Sequence, residues 1–194
     1  MSTKMATGLA RFSFCNVFTP RRAQNGEEAK YGVTLLIPKE DKDTLRSIKE
    51  AMTAAKEAYM SRKDAKKLPS NLKHTLHDGD GERPSGGEFG PECKGHWVLT
   101  VNSKEPPKVV DRYRKDITDQ REVYSGCYGR AVIDFYVYSN SGNTGITAQL
   151  LAVMKLKNGE PLSGKVVTDK DWGTFDYDSV EDISDDDFAK ELLA

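Results

Sequence analysis

Cysteine is scarce in this chain of 194 residues. There are three, Cys15, Cys93 and Cys127, an odd number set far apart. They read as reduced thiols, as expected in a cytoplasm, rather than as a disulfide framework. Apolar residues are also few, at 37% against the roughly 45–50% of an average globular domain. A folded part diluted by polar loops and a tail is the expected reason. No apolar run is longer than a strand, so no bilayer-spanning segment is expected. Nor does an apolar stretch follow Lys4, which argues against a secretory leader. A phosphate-binding glycine loop, a nucleophile elbow and an HExxH motif are all missing. No enzyme is expected, and no cofactor is called for. There is no internal repeat.

What the sequence does have is a split of charge hidden by a net value of −1. From position 169 to the end there are ten acids and two bases, a net of −8. The preceding residues hold 27 bases and 20 acids, a net of +7. A basic body is joined to an acidic extension. The expected division is a folded domain over 1–165 and an acidic, disordered tail over 166–194.

Period-two patterns predict five substantial strands, over 6–18, 31–37, 95–103, 128–138 and 145–156. In the first, Phe12, Phe14 and Phe18 share a parity and are assigned to one face. In the fourth, Ala131, Ile133, Phe135 and Val137 face inward, leaving Arg130, Asp134, Tyr136 and Tyr138 on the other side. A short edge strand is expected at Val109 and Val110. One helix is predicted from a cap at Asp41 or Asp43 to about Tyr59, with Leu45, Ile48, Met52, Ala55 and Tyr59 as its buried stripe. Residues 61–94 lose all periodicity. Long alternating strands with one helix after the second point to a mainly β, five-stranded barrel; a sandwich stays in contention on periodicity alone.

A basic body with aromatic residues on a strand face has what a non-specific single-strand binder requires, cations to track phosphates and rings on which bases stack. Arg130, Tyr136 and Tyr138 share one face of the fourth strand, and Tyr128 begins it. Arg21 and Arg22 sit in the first loop; Lys104, Arg112, Tyr113, Arg114 and Lys115 surround the third. Taken singly, each has an ordinary reading as strand packing or a hydrated loop cation. The acidic patch Asp185, Asp186, Asp187 with Phe188 would compete with DNA for such a groove and recruit partner proteins, or simply solubilise the chain. His74, His77, Cys93 and His96 form a set that zinc could use. Asp78, Asp80 and Glu82 alternate along a loop that could hold Mg²⁺ in a nuclease. A protein-only adaptor is the third alternative.

The block Glu122-Val123-Tyr124-Ser125-Gly126-Cys127-Tyr128-Gly129-Arg130-Ala131 resembles a family of tailed-phage single-stranded-DNA-binding proteins. So do Asp134-Phe135-Tyr136, Val153-Met154-Lys155-Leu156, the segment from Tyr31 to Lys39, Leu76-His77-Asp78-Gly79-Asp80 and Gly159-Glu160-Pro161-Leu162. The similarity runs over about residues 5–165, and Cys93 departs from the family pattern. The resemblance implies an OB fold, sequence-independent binding of single strands, and work in phage DNA replication or recombination in the host cytoplasm, with no membrane partner. It also implies that Asp-Gly-Asp marks the fold rather than catalysis.

Overall fold

Strand β3 (Lys30–Pro38) carries six consecutive buried residues, 32–37, the mark of a strand covered on both faces. Val33, Leu35 and Ile37 enter the main core, while Leu36 turns the other way onto Cys93 and Val98. The computed structural model describes residues 2–22, 28–140, 143–162 and 173–174. Two units divide the chain, Met1–Ser163 and Gly164–Ala194, and the architecture below is that of the first. The expectations for Asp185, Asp186, Asp187 and Phe188 lie outside the described residues.

Five long strands make a ring: β2 (Ala10–Arg21), β3, β6 (His96–Ser103), β9 (Asn143–Lys157) and β8 (Tyr128–Asn140). Strand β8 closes it by pairing back to β2 through Ala10↔Gly129 and Arg11↔Tyr128. The β6–β9 pairing, Asn102↔Gln149, is parallel, and the other ring pairings are antiparallel. Numbered along the ring alone, the order is 1-2-3-5-4-1, a small Greek-key barrel of the OB type. Phe12, Leu35, Leu99, Ile133, Phe135 and Leu150 fill its interior, each 1% exposed or less.

The five expected strands are the ring. Four short ones join it: β1 (Lys4–Ala6), β4 (Lys73–His74) and β5 (Leu76–Asp78), which were not expected as separate strands, and β7 (Lys108–Val110). The last of these includes the edge strand foreseen at Val109 and Val110, and it pairs in parallel with β9. The predicted first strand is split because Gly8 comes against the start of the helix. Its amide donates to Thr44 Oγ1 at 2.7 Å, and a Cβ there would lie 2.3 Å from Asp41 Oδ2. Part of the aperiodic 61–94 stretch is recruited to the sheet, β5 beside β6 and β4 beside β9. Neither is long enough to leave a period in the sequence.

Helix α1 (Lys42–Met60) is capped by Asp41, whose Oδ1 accepts from the Thr44 amide at 3.0 Å. It packs mainly on β8. Its buried stripe is Thr44, Ile48, Ala51, Ala54, Ala55 and Tyr59, with Leu45 and Met52 only half-buried. The small residues let the helix backbone approach the sheet, which rotates the larger side chains to the margin. Among the described residues no helix is long and apolar enough to cross a membrane.

Candidate nucleic-acid interface

Pleating sends alternate side chains of β8 outward, so Tyr136 and Tyr138 leave the barrel on the face opposite Phe135 and Val137. Across the ladder they meet small partners, Thr147 and Gly145. Gly145 is needed there, because a Cβ would stand 2.5 Å from Tyr138 Oη. Tyr136 is 48% exposed. Together they form one wall of a groove of about 750 Å³, whose other parts come from Lys30, Asn102, Lys104 and Gln149 among others. The groove lies beside the β2–β3 and β8–β9 connections, where OB barrels take oligonucleotides.

Lys104 pairs with Glu28 at 2.5 Å, and both are exposed. The hydrogen bond and charge of Glu28 raise the Lys104 pKa, with a smaller contribution from Tyr136. The same contact lowers that of Glu28. Lys30 is the register partner of Arg21, which places Arg21 and the exposed Arg22 at the rim. Lys30, Asn102 and Gln149 were not singled out from sequence. Lys30 opens a strand and could have been read as facing the first loop; the two amides gave no signal.

The remaining candidates lie elsewhere. Arg130 is six residues, about 20 Å of strand, from Tyr136. Its Nε donates to the Thr7 carbonyl at 2.7 Å, and it lines a separate depression with Arg114. Arg112 donates to the Leu156 carbonyl at 2.7 Å. Tyr113 is 76% exposed at the tip of a turn that Asp111 organises by accepting from the Tyr113 and Lys115 amides. Tyr128 carries two cations against its ring, Arg11 at 5.7 Å and Lys157 at 4.7 Å from the centroid. Arg11 also donates to the Glu160 carbonyl at 2.7 Å. The expected face of Arg130, Tyr136 and Tyr138 is therefore two places, with only the tyrosines shared.

The other constellations have structural explanations. Asp78 and Asp80 both grip the Lys39 ammonium, Asp80 at 2.7 Å, and Asp80 also accepts from the Gly95 amide at 3.0 Å. These contacts lower both carboxyl pKa values and raise that of Lys39. His74 and His77 stack at 6.0 Å, and the His96 ring meets the Lys94 carbonyl at 2.7 Å. Cys93 is buried, and burial raises its thiol pKa. Among the described residues no group of three or more His, Cys, Asp or Glu is arranged to hold a metal, so neither the zinc set nor the acidic loop converges.

The block carrying the family resemblance is the seam of the barrel. The Gly126 amide donates to Phe12 O at 2.7 Å, the Phe12 amide to Cys127 O at 2.9 Å, and the Leu162 amide to Ser125 O at 2.9 Å. Gly126 has a φ of +120°, and a Cβ on it would lie 2.2 Å from Glu160 O. Protein p50 of Acyrthosiphon pisum secondary endosymbiont phage 1 is 29% identical over 98% of this chain and 99% of its own. The single-stranded DNA-binding protein from bacteriophage Enc34, solved in complex with ssDNA, matches at a TM-score of 0.68 and 29% identity, over 83% of this chain and 90% of that one. Bacteriophage T7 gp2.5, a single-stranded DNA binding protein, shares the fold at a TM-score of 0.59 and 16% identity, over 86% and 98% of the two chains. The family described as the ssDNA-binding protein of Enterobacter phage Enc34 matches residues 3–188, and the chain belongs to that family.

Proposed function

We propose that this protein binds single-stranded DNA without sequence preference, through the groove walled by Tyr136 and Tyr138. The observation that carries this reading is the pairing of two outward rings, the exposed Tyr136 and the half-buried Tyr138, with Lys30 and Lys104 in one groove on a closed barrel. Every base has a face on which to stack, so rings tolerate any sequence, and lysines meet the phosphate that every nucleotide carries. Family membership and the Enc34 protein's complex with ssDNA support it. The biological setting is phage DNA replication or recombination, where the protein coats transient single strands, protects them and removes hairpins. It acts as a binder, with no chemistry of its own. The domain of residues 1–165 does the binding, and the acidic 166–194 stretch competes with DNA for the basic groove and recruits replication or recombination proteins.

Anisotropy with labelled oligo-dT tests the reading. A base stack is worth about 1–3 kcal/mol, so Tyr136→Ala or Tyr138→Ala should weaken binding by about 5- to 150-fold. Deleting 169–194 should tighten it at low salt. Unchanged affinity in both tyrosine variants would remove the groove from the reading. Unchanged affinity in the truncation would remove the competition.

A further inference from the structure

Phe14 is 62% exposed although it belongs to β2, a ring strand. Its φ is +45°, in the left-handed region that a bulky residue avoids. The cause is a bulge. Ser13 pairs with Thr34 and Asn16 with Gly32, so Phe14 and Cys15 together oppose the single residue Val33. Cys15 thereby turns toward the core, and Phe14 is turned out. Two side chains hold the arrangement: Ser125 Oγ accepts from the Cys15 amide at 3.0 Å, and Asn16 Nδ2 donates to the Phe14 carbonyl at 2.9 Å. Folding alone favours glycine or asparagine at such a backbone position. A phenylalanine there is explained neither by backbone conformation nor by burial.

Small and polar residues span the surface between this ring and the groove. Asn16, Gly32 and Asn102 lie side by side across β2, β3 and β6, and Asn102 lines the groove with Tyr136 and Tyr138. Gly32 adds no side chain of its own and is covered by the Asn102 amide, since a Cβ on it would meet Asn102 Oδ1 at 2.3 Å, so the row is bridged by Asn16 and Asn102. Two strand spacings separate β2 from β6, about 10 Å. At the stacked duplex rise of roughly 3.4 Å that is about three nucleotides, and fewer for a more extended strand.

We propose that Phe14 is a base-stacking platform, presented by a strained bulge, which extends the single-strand track from the groove across β6 and β3 to β2. The proposal rests on the groove reading above. Strain at a ligand-facing residue is a familiar way for a fold to hold a side chain where burial would not put it. The ring takes any base, so the extension lengthens the footprint without adding sequence preference.

The test compares full-length wild type, Phe14→Gly, Phe14→Trp and Tyr136→Ala by anisotropy on dT oligomers of increasing length, with thermal melts alongside. Phe14→Gly should melt higher, since glycine accepts the backbone conformation, yet bind long oligomers about fivefold or more weakly. Oligomers too short to leave the groove should bind it as they bind wild type. Phe14→Trp should keep long-oligomer affinity, and its added fluorescence over wild type should be quenched on binding. Tyr136→Ala should weaken binding at every length. Wild-type affinity of Phe14→Gly at all lengths overturns the proposal while leaving the groove standing. The same holds if the only loss is self-association in sedimentation, which would make Phe14 a protein contact. Failure of wild type to bind any length overturns both readings.

Discussion

Lys104 meets the groove with its charge already engaged by Glu28. A phosphate that uses this lysine has to displace a carboxylate first. Glu28→Gln should therefore tighten oligo-dT binding by roughly two- to fivefold, the scale of an exposed ion pair. The ratio to wild type should stay flat from neutral pH down to about 5, because the lowered pKa of Glu28 keeps it charged there. It should shrink only as pH falls through the carboxylate's range. A ratio of one across this range would show that the pair does not restrain Lys104. Parity along β8 was enough to mark Tyr136 and Tyr138 as outward, because pleating is a local property. Glu28 was not legible, since folding alone brings it to a lysine 76 positions away. Phe14 was misread for a related reason. The bulge shifts the alternation by one residue, and only the pairing with β3 reveals it.

At the scale of elements, the Asp78-Gly79-Asp80 turn and the end of β3 are locked together. Lys39 bonds both carboxylates, and its ammonium lies 5.5 Å from the Trp97 ring centroid. Gly79 lies so close to the next segment that a Cβ would be 2.1 Å from Cys93 O. Lys39→Met should lower Tm by a few degrees at pH 7. Both carboxyl pKa values are lowered by folding, so their contribution is complete above the ordinary value of 3.8 and is lost as pH falls through the lower folded values. The Tm difference should accordingly close in strong acid; a gap that persists there would locate the effect in packing on Trp97 instead. The five ring strands and α1 were legible because each is long enough to repeat its period several times. Strands of two or three residues are not, and β4 and β5 exist only because β9 and β6 hold them.

For the whole molecule, the question is how many cations a bound strand neutralises. Log affinity against log salt should fall with a slope of about −0.7 per phosphate contact on single strands. Contacts by Arg21, Lys30 and Lys104 give about −2. Recruiting Arg11, Lys155 and Lys157 as well would give about −4. The shallower value is expected, because the first three lie in the groove or beside it, whereas Lys155 and Lys157 pair with the Gly129–Tyr128 end of β8 and Arg11 faces the same Tyr128 ring, remote from Tyr136. A measured slope near −4 would bring that second cluster onto the strand path.

Closure of the ring through β8 and β2 bears on life in a crowd. Proteins lined up along one polynucleotide sit at very high local concentration, where exposed sheet margins would zip neighbours into fibres. Among the described residues each long strand has a neighbour on both sides, although β2 meets β8 only at Ala10 and Arg11 and β6 meets β9 only at Asn102, and the outer strands β1, β4, β5 and β7 are two or three residues long. Under the proposed coating role, neighbours on one strand would meet chiefly through such short margins and separate when the polymer is taken away.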